Sequence, residues 1–159
     1  MNRDLIDQYA VGGDKLRPAM AGLNRDELLA RPGPGAWSIH ELVIHVVDSD
    51  FVGMDRMKRV IAENNPPLIG FDENLWIEHH APHEQSLDDA LILFEAGRRQ
   101  MTRILRQLPN TAFSRTGQHS ERGPLTLENL VQTFVTHVDH HLKFLQDKRE
   151  RLGKPLRHS

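Results

Sequence analysis

The chain has 159 residues, 38% of them apolar and 26% charged, with a net charge of −2 at neutral pH and no cysteine. That length supports one domain over residues 1–159 with a core of its own, without disulfide or thiolate-metal staples, and no apolar run approaches the roughly 18 residues of a membrane span. The near-neutral balance, with no Lys/Arg stripe, speaks against a nucleic-acid partner, whose phosphates demand a basic footprint. Start and stop signals then divide the chain. Gly12, Gly13 and Pro18 interrupt any long N-terminal helix, so a helix is predicted from about Asp14 to Ala21, followed by a short turn in "NRDELLA". "WSIHEL" places Ser38 as N-cap and Glu41 three residues on, a capping box with Trp37 and Leu42 spaced as a hydrophobic staple. The helix it opens continues until Asn64-Asn65-Pro66-Pro67 stops it.

Ser86 opens the next helix, with apolar positions recurring from Leu87 through Leu91, Phe94, Met101 and Leu105 to Leu108, before Pro109. Thr126 caps a third, helped by Glu128 in its first turn, which ends near Leu152 at Gly153-Lys154-Pro155. No strand-like alternation and no repeat appears. The prediction is an all-α, four-helix bundle with two long connections, residues 65–86 and 109–125. Loops of that length are often functional. The first carries Trp76, His79, His80 and His83, and the second His119.

Ten histidines stand out against the missing cysteines. In "THVDHHLKFL", His137 and His141 lie about 40° apart around a helix and one turn along it, so both rings can reach one ion; His140 falls on the edge of that face. A solvated or core-bonded pair gives the same spacing, but the flanking Leu130, Phe134, Val138 and Leu145 make an unpartnered imidazole there costly. "HELVIH" contains one residue too many for a zinc-protease motif: His40 and His45 diverge by about 140°. Glu41 is better read as the capping-box acid, and periodicity alone does not select His45. No nucleophile elbow, phosphate loop or dinucleotide fingerprint is present.

"RPGPGAWSIHELVIHVVDSD", "DRMKRVIAENNPPL", Trp76, "GQHSERGPLTLENLVQTFVTHVDHH" and a closing "RLG" together resemble the DinB/YfiT-like superfamily, most of all its YfiT-type metal-dependent hydrolases. The resemblance spans roughly residues 10–153; its most specific parts are the Pro-Gly-x-Trp-Ser lead-in, a histidine eight residues after that tryptophan, and the distant His-x-x-x-His. It implies one divalent metal held by His45, His137 and His141, and a homodimer.

Three neutral imidazoles leave a coordination position open, as in catalytic sites. Zinc or nickel is expected first, with iron or manganese also fitting the donor set. Asp48, one turn beyond His45, is the expected acceptor for a ligand ring N–H. The general base is not identifiable: Asp48, Glu41, His80 and His119 are candidates. The expected activity is a metal-dependent hydrolase that activates water against a small-molecule substrate. The alternatives are a thiol S-transferase using a low-molecular-weight thiol such as bacillithiol or mycothiol, and a non-catalytic metal-binding stress protein. An N-terminus without the marks of a secretory signal makes the cytoplasm the expected location.

Overall fold

The structure, a computed structural model, describes residues 2–156. Four helices form the body: α1 (Asn2–Gly12), α4 (Ile39–Ala62), α6 (Leu87–Gln107) and α7 (Leu127–Arg151). α4 packs on α6 and α7, and α1 packs on the same two helices, so α1 faces α4, and α6 faces α7, across the bundle. Short helices α2 (Leu16–Ala19) and α3 (Arg25–Leu29) lead into α4, and α5 (Glu73–His79) lies between α4 and α6.

The long helices begin and end where their chemistry requires. The Ser38 hydroxyl accepts from the Glu41 N–H at 3.1 Å while the Glu41 carboxylate accepts from the Ser38 N–H at 2.7 Å, so two orphan donors of α4 are satisfied reciprocally. Ser86 accepts from the Asp89 N–H at 3.2 Å to open α6. Thr126 opens α7, but its partner is Asn129, a side chain the sequence reading passed over in favour of Glu128. α7 closes in a Schellman motif: Gly153 sits at φ 67°, its N–H bonded to the Glu150 carbonyl and the Lys154 N–H to the Arg149 carbonyl.

Two expectations are corrected. The N-terminal segment is helical over Asn2–Gly12, upstream of the predicted Asp14–Ala21 span, of which only Leu16–Ala19 is helical. Ile6 and Tyr9 drive that helix into the core, an apolar stripe too short to read from sequence. The expected four-helix bundle stands, but a small three-stranded sheet that the sequence does not announce accompanies it. β1 (Pro67–Leu68) pairs in parallel with β2 (Thr116–His119), which pairs antiparallel with β3 (Gly123–Thr126), Pro67 opposite Gln118 and His119 opposite Gly123. Strands of two to four residues leave no alternating pattern to detect. The two long connections are therefore structured: one holds β1 and α5, the other the β2–β3 hairpin. No described helix is long and apolar enough to cross a membrane.

Candidate metal centre

α4 and α7 run antiparallel through a close approach. The ring of Phe134 lies where a Cβ on Gly53 would stand, 2.3 Å from that position, so the helices meet there only because residue 53 has no side chain. About two turns away along α4, the same pairing brings His45 against His137 and His141 of α7. Ring centroids are 5.3 Å apart for His45–His137, 4.7 Å for His45–His141 and 4.4 Å for His137–His141. One nitrogen from each ring lies within 4.8 Å of the other two, and the Nε2 atoms of His45 and His141 are 3.2 Å apart.

These distances suit a shared ion. Two nitrogens bound at about 2.0–2.1 Å to one tetrahedral centre are separated by about 3.3 Å. Protonation also favours it. Burial holds His45 and His141 down to about 4, and burial, reinforced by His141, His45 and Arg98, holds His137 down to about 3. At neutral pH all three rings are uncharged and offer lone pairs. His141 faces His45 through Nε2, while its outward Nδ1 is buried with no hydrogen-bond partner among the described residues. Donor type, spacing and protonation state all fit a divalent transition ion.

The remaining histidines stand apart. His140 is exposed and packs edge-on against Phe144 at 4.6 Å. His40 is buried on another side of α4, its ring 5.7 Å from that of His83. His119 sits at the β2–β3 turn, where its Nδ1 accepts from the Glu121 and Arg122 N–H groups at 3.2 and 3.3 Å. His80 stacks on Trp76, with ring centroids 5.0 Å apart.

Asp48 does not serve as the acceptor expected for His45. No hydrogen bond among the described residues joins them, and Asp48 lines a cleft with Ile44, Val47 and Phe51 against the start of α6. Three residues turn a helix by about 300°, so with His45 aimed at α7 the Asp48 carboxylate swings toward α6. Burial pushes its carboxyl up, with His80 opposing the shift.

Glu41 is committed to structure: buried, it closes the α4 cap and pairs with Arg31. His83 Nε2 lies 3.0 Å from Ser38 Oγ and 3.6 Å from Glu41 Oε1. That trio is no nucleophile relay, because one ring nitrogen faces both partners and Ser38 is fully buried as the N-cap.

Two neighbours of the site escaped the sequence reading. Trp37, which the sequence places in a staple and in the lead-in motif but not against the ligands, lays its ring 5.0 Å from that of His45. Lys148, seven residues beyond His141 and hence on the same face of α7, donates to the Trp37 carbonyl and holds that wall in place. The heptad spacing from His141 was the available signal. Trp37 also lines a cleft of about 490 Å³ with Arg31, Glu41, Ile77 and His83.

A protein of Oceanobacillus iheyensis named "Putative metal-dependent hydrolase" is 28% identical over 127 residues, covering 80% of this chain and 73% of its own. The Bacillus subtilis protein named "Putative metal-dependent hydrolase YfiT" is 26% identical over 140 residues, covering 87% and 79%. The solved structure of Bacillus subtilis YfiT, described as "a probable metal-dependent hydrolase with an unusual four-helix bundle topology", superposes with a TM-score of 0.88 at 25% identity over 96% of this chain and 87% of that one. The family model of the DinB superfamily matches residues 8–145, nearly the whole bundle and all three clustered histidines, and the chain belongs to that superfamily.

Proposed function

We propose that the protein is a metal-dependent hydrolase whose ion is held by His45, His137 and His141 and whose substrate is a small molecule. The observation that carries this reading is the meeting of three uncharged imidazoles from two helices, His45 buried and His137 and His141 half-buried, with their nitrogens within 4.8 Å. The names of the relatives support it. Zinc or nickel fits the all-nitrogen donor set best, ahead of iron or manganese. A divalent ion bound there supplies Lewis acidity, lowering the pKa of water and polarising a substrate oxygen.

The chain's own residues do the rest. Three protein ligands leave part of a tetrahedral or larger coordination sphere free for substrate and water. Trp37 walls the His45 side and is shared with the 490 Å³ cleft, a volume within the usual range for small-ligand pockets, so the organic part of the substrate rests there. Arg31 and His83 at that cleft offer hydrogen-bond donors to it. Low proton affinity keeps the three rings available to the ion well below neutrality.

The test is hydrolysis of a panel of amide, ester and phosphoester substrates by protein reconstituted with zinc, nickel, iron or manganese. Turnover that a chelator abolishes, that the metal restores and that His141→Ala lacks is the expected result. Turnover indifferent to chelator overturns the metal-dependent reading, and turnover that appears only with an added low-molecular-weight thiol replaces hydrolysis by thiol transfer.

A further inference from the structure

At the centre of the bundle lies a charged group that the proposed chemistry does not use. Arg98 of α6 is 1% exposed, and Asp50 of α4, its partner, 3%. The guanidinium Nε donates to both Asp50 oxygens at 3.1 Å, and Nη2 donates to Asp50 Oδ1 at 2.6 Å and to the Phe134 carbonyl of α7 at 2.8 Å. Nη1 donates to the Tyr9 carbonyl at 2.9 Å. That carbonyl is one of the last four of α1, which have no partner within the helix. The aromatic faces of Tyr9 and Phe94 lie 4.4 and 4.9 Å from the guanidinium carbon. One side chain thus joins all four long helices, reaching across the bundle from α6 to α7. The Gly12-Gly13 pair makes room for it: a Cβ at Gly12 would stand 2.3 Å from Arg98 Nη1.

Net stability does not explain such a group. A buried ion pair commonly contributes no more than well-packed apolar residues of the same volume, because desolvation offsets its attraction. What a planar fork with fixed donors does supply is registry. Its α4 anchor, Asp50, lies five residues beyond His45, and its α7 anchor, the Phe134 carbonyl, three residues before His137. A slide of one residue between these helices is about 1.5 Å, enough to break a 3.2 Å approach between His45 and His141.

We propose that Arg98 is a positioning residue for the three-histidine site: by bonding Asp50 on α4 and the Phe134 carbonyl on α7 while anchored to α1, it fixes the axial register in which His45 meets His137 and His141. Its relevance to metal rests on the function proposed above, but its geometric content does not. The test compares the full-length wild type with Asp50→Leu/Arg98→Met, which removes both charges together, and with Arg98→Lys, which keeps the charge and loses the fork. Cobalt(II) affinity, the cobalt visible spectrum, far-ultraviolet circular dichroism and the ring-proton NOE between His45 and His141 in metal-free protein are recorded for each.

With helix content unchanged, both variants are expected to bind cobalt about tenfold or more weakly, as when an outer support of a metal site is lost, with altered visible bands and a weakened NOE. Where the double variant does not fold, Arg98→Lys carries the comparison. Wild-type affinity, bands and NOE in a folded variant overturn the proposal. If wild-type protein takes up no cobalt, the metal reading fails, and the NOE alone decides: its loss in Arg98→Lys upholds the positioning role and its persistence refutes it.

Discussion

Each of the three clustered imidazoles is a poor resting place for a proton, and this makes the site's behaviour at the scale of single residues predictable. The folded values, about 4 for His45 and His141 and about 3 for His137, lie below the 6.5 of an unperturbed histidine. Between those limits the unfolded chain binds more protons than the folded one, so stability rises with pH there. Metal-free protein should therefore lose stability as pH falls from about 6.5 toward 4. The three rings contribute no slope above that window. Urea midpoints at pH 7.5 and pH 5 check this, and His137→Phe should flatten the difference; equal midpoints in the wild type would contradict it. The ligands themselves follow a related logic. Replacing His45 or His141 by alanine should weaken zinc binding by more than the roughly 10–100-fold expected for loss of an outer partner, as read by calorimetric titration. Asp48→Asn, which alters a carboxylate turned toward α6, should leave zinc affinity close to wild type.

Among the elements, the helix ends and the α4–α7 contact matter most. α4 carries His45 less than two turns from its capping box, so Ser38 bears on the site as well as on the helix. Ser38→Ala removes the hydroxyl that accepts from Glu41 and meets His83, and should cost about 1 kcal/mol, seen in denaturant unfolding. Gly53→Ala tests the close approach more severely. A methyl placed 2.3 Å from the Phe134 ring must displace it, at a cost on the order of 1–3 kcal/mol, and with it the spacing that lets His45 meet α7. A neutral result would mean that the helices meet more loosely than the structure shows.

For the whole molecule, legibility in the sequence tracked the length of the signal. The three longest helices could be read almost to the residue, because Ser38, Ser86 and Thr126 cap them and Pro66, Pro109 and Gly153 lie just past their ends. α1 was misplaced because Gly12 and Gly13 look like simple breakers, when they serve a tertiary contact with Arg98 that no local pattern reveals. The sheet was missed because its strands are only two to four residues long, and its β1–β2 pairing links residues about fifty positions apart. In the site, spacing alone could pair His137 with His141. It could not select His45, which came from the family resemblance, and three-dimensional structure was needed to show the three together, to turn Asp48 away and to bring Trp37 and Lys148 in.

Metal binding should also show at this scale, since an ion taken up only by the folded chain stabilises it by about 2.7 kcal/mol at a free concentration of 100 times Kd. A rise in Tm on adding zinc, absent in His137→Ala, is the expected result. X-ray absorption at the metal edge of protein reconstituted with one equivalent of zinc goes to the centre of the account. It should show three imidazole nitrogens at about 2.0–2.1 Å and a further light-atom ligand that exchanges with added anions. A signal without imidazole scattering, or four fixed protein ligands with no exchangeable position, would contradict it.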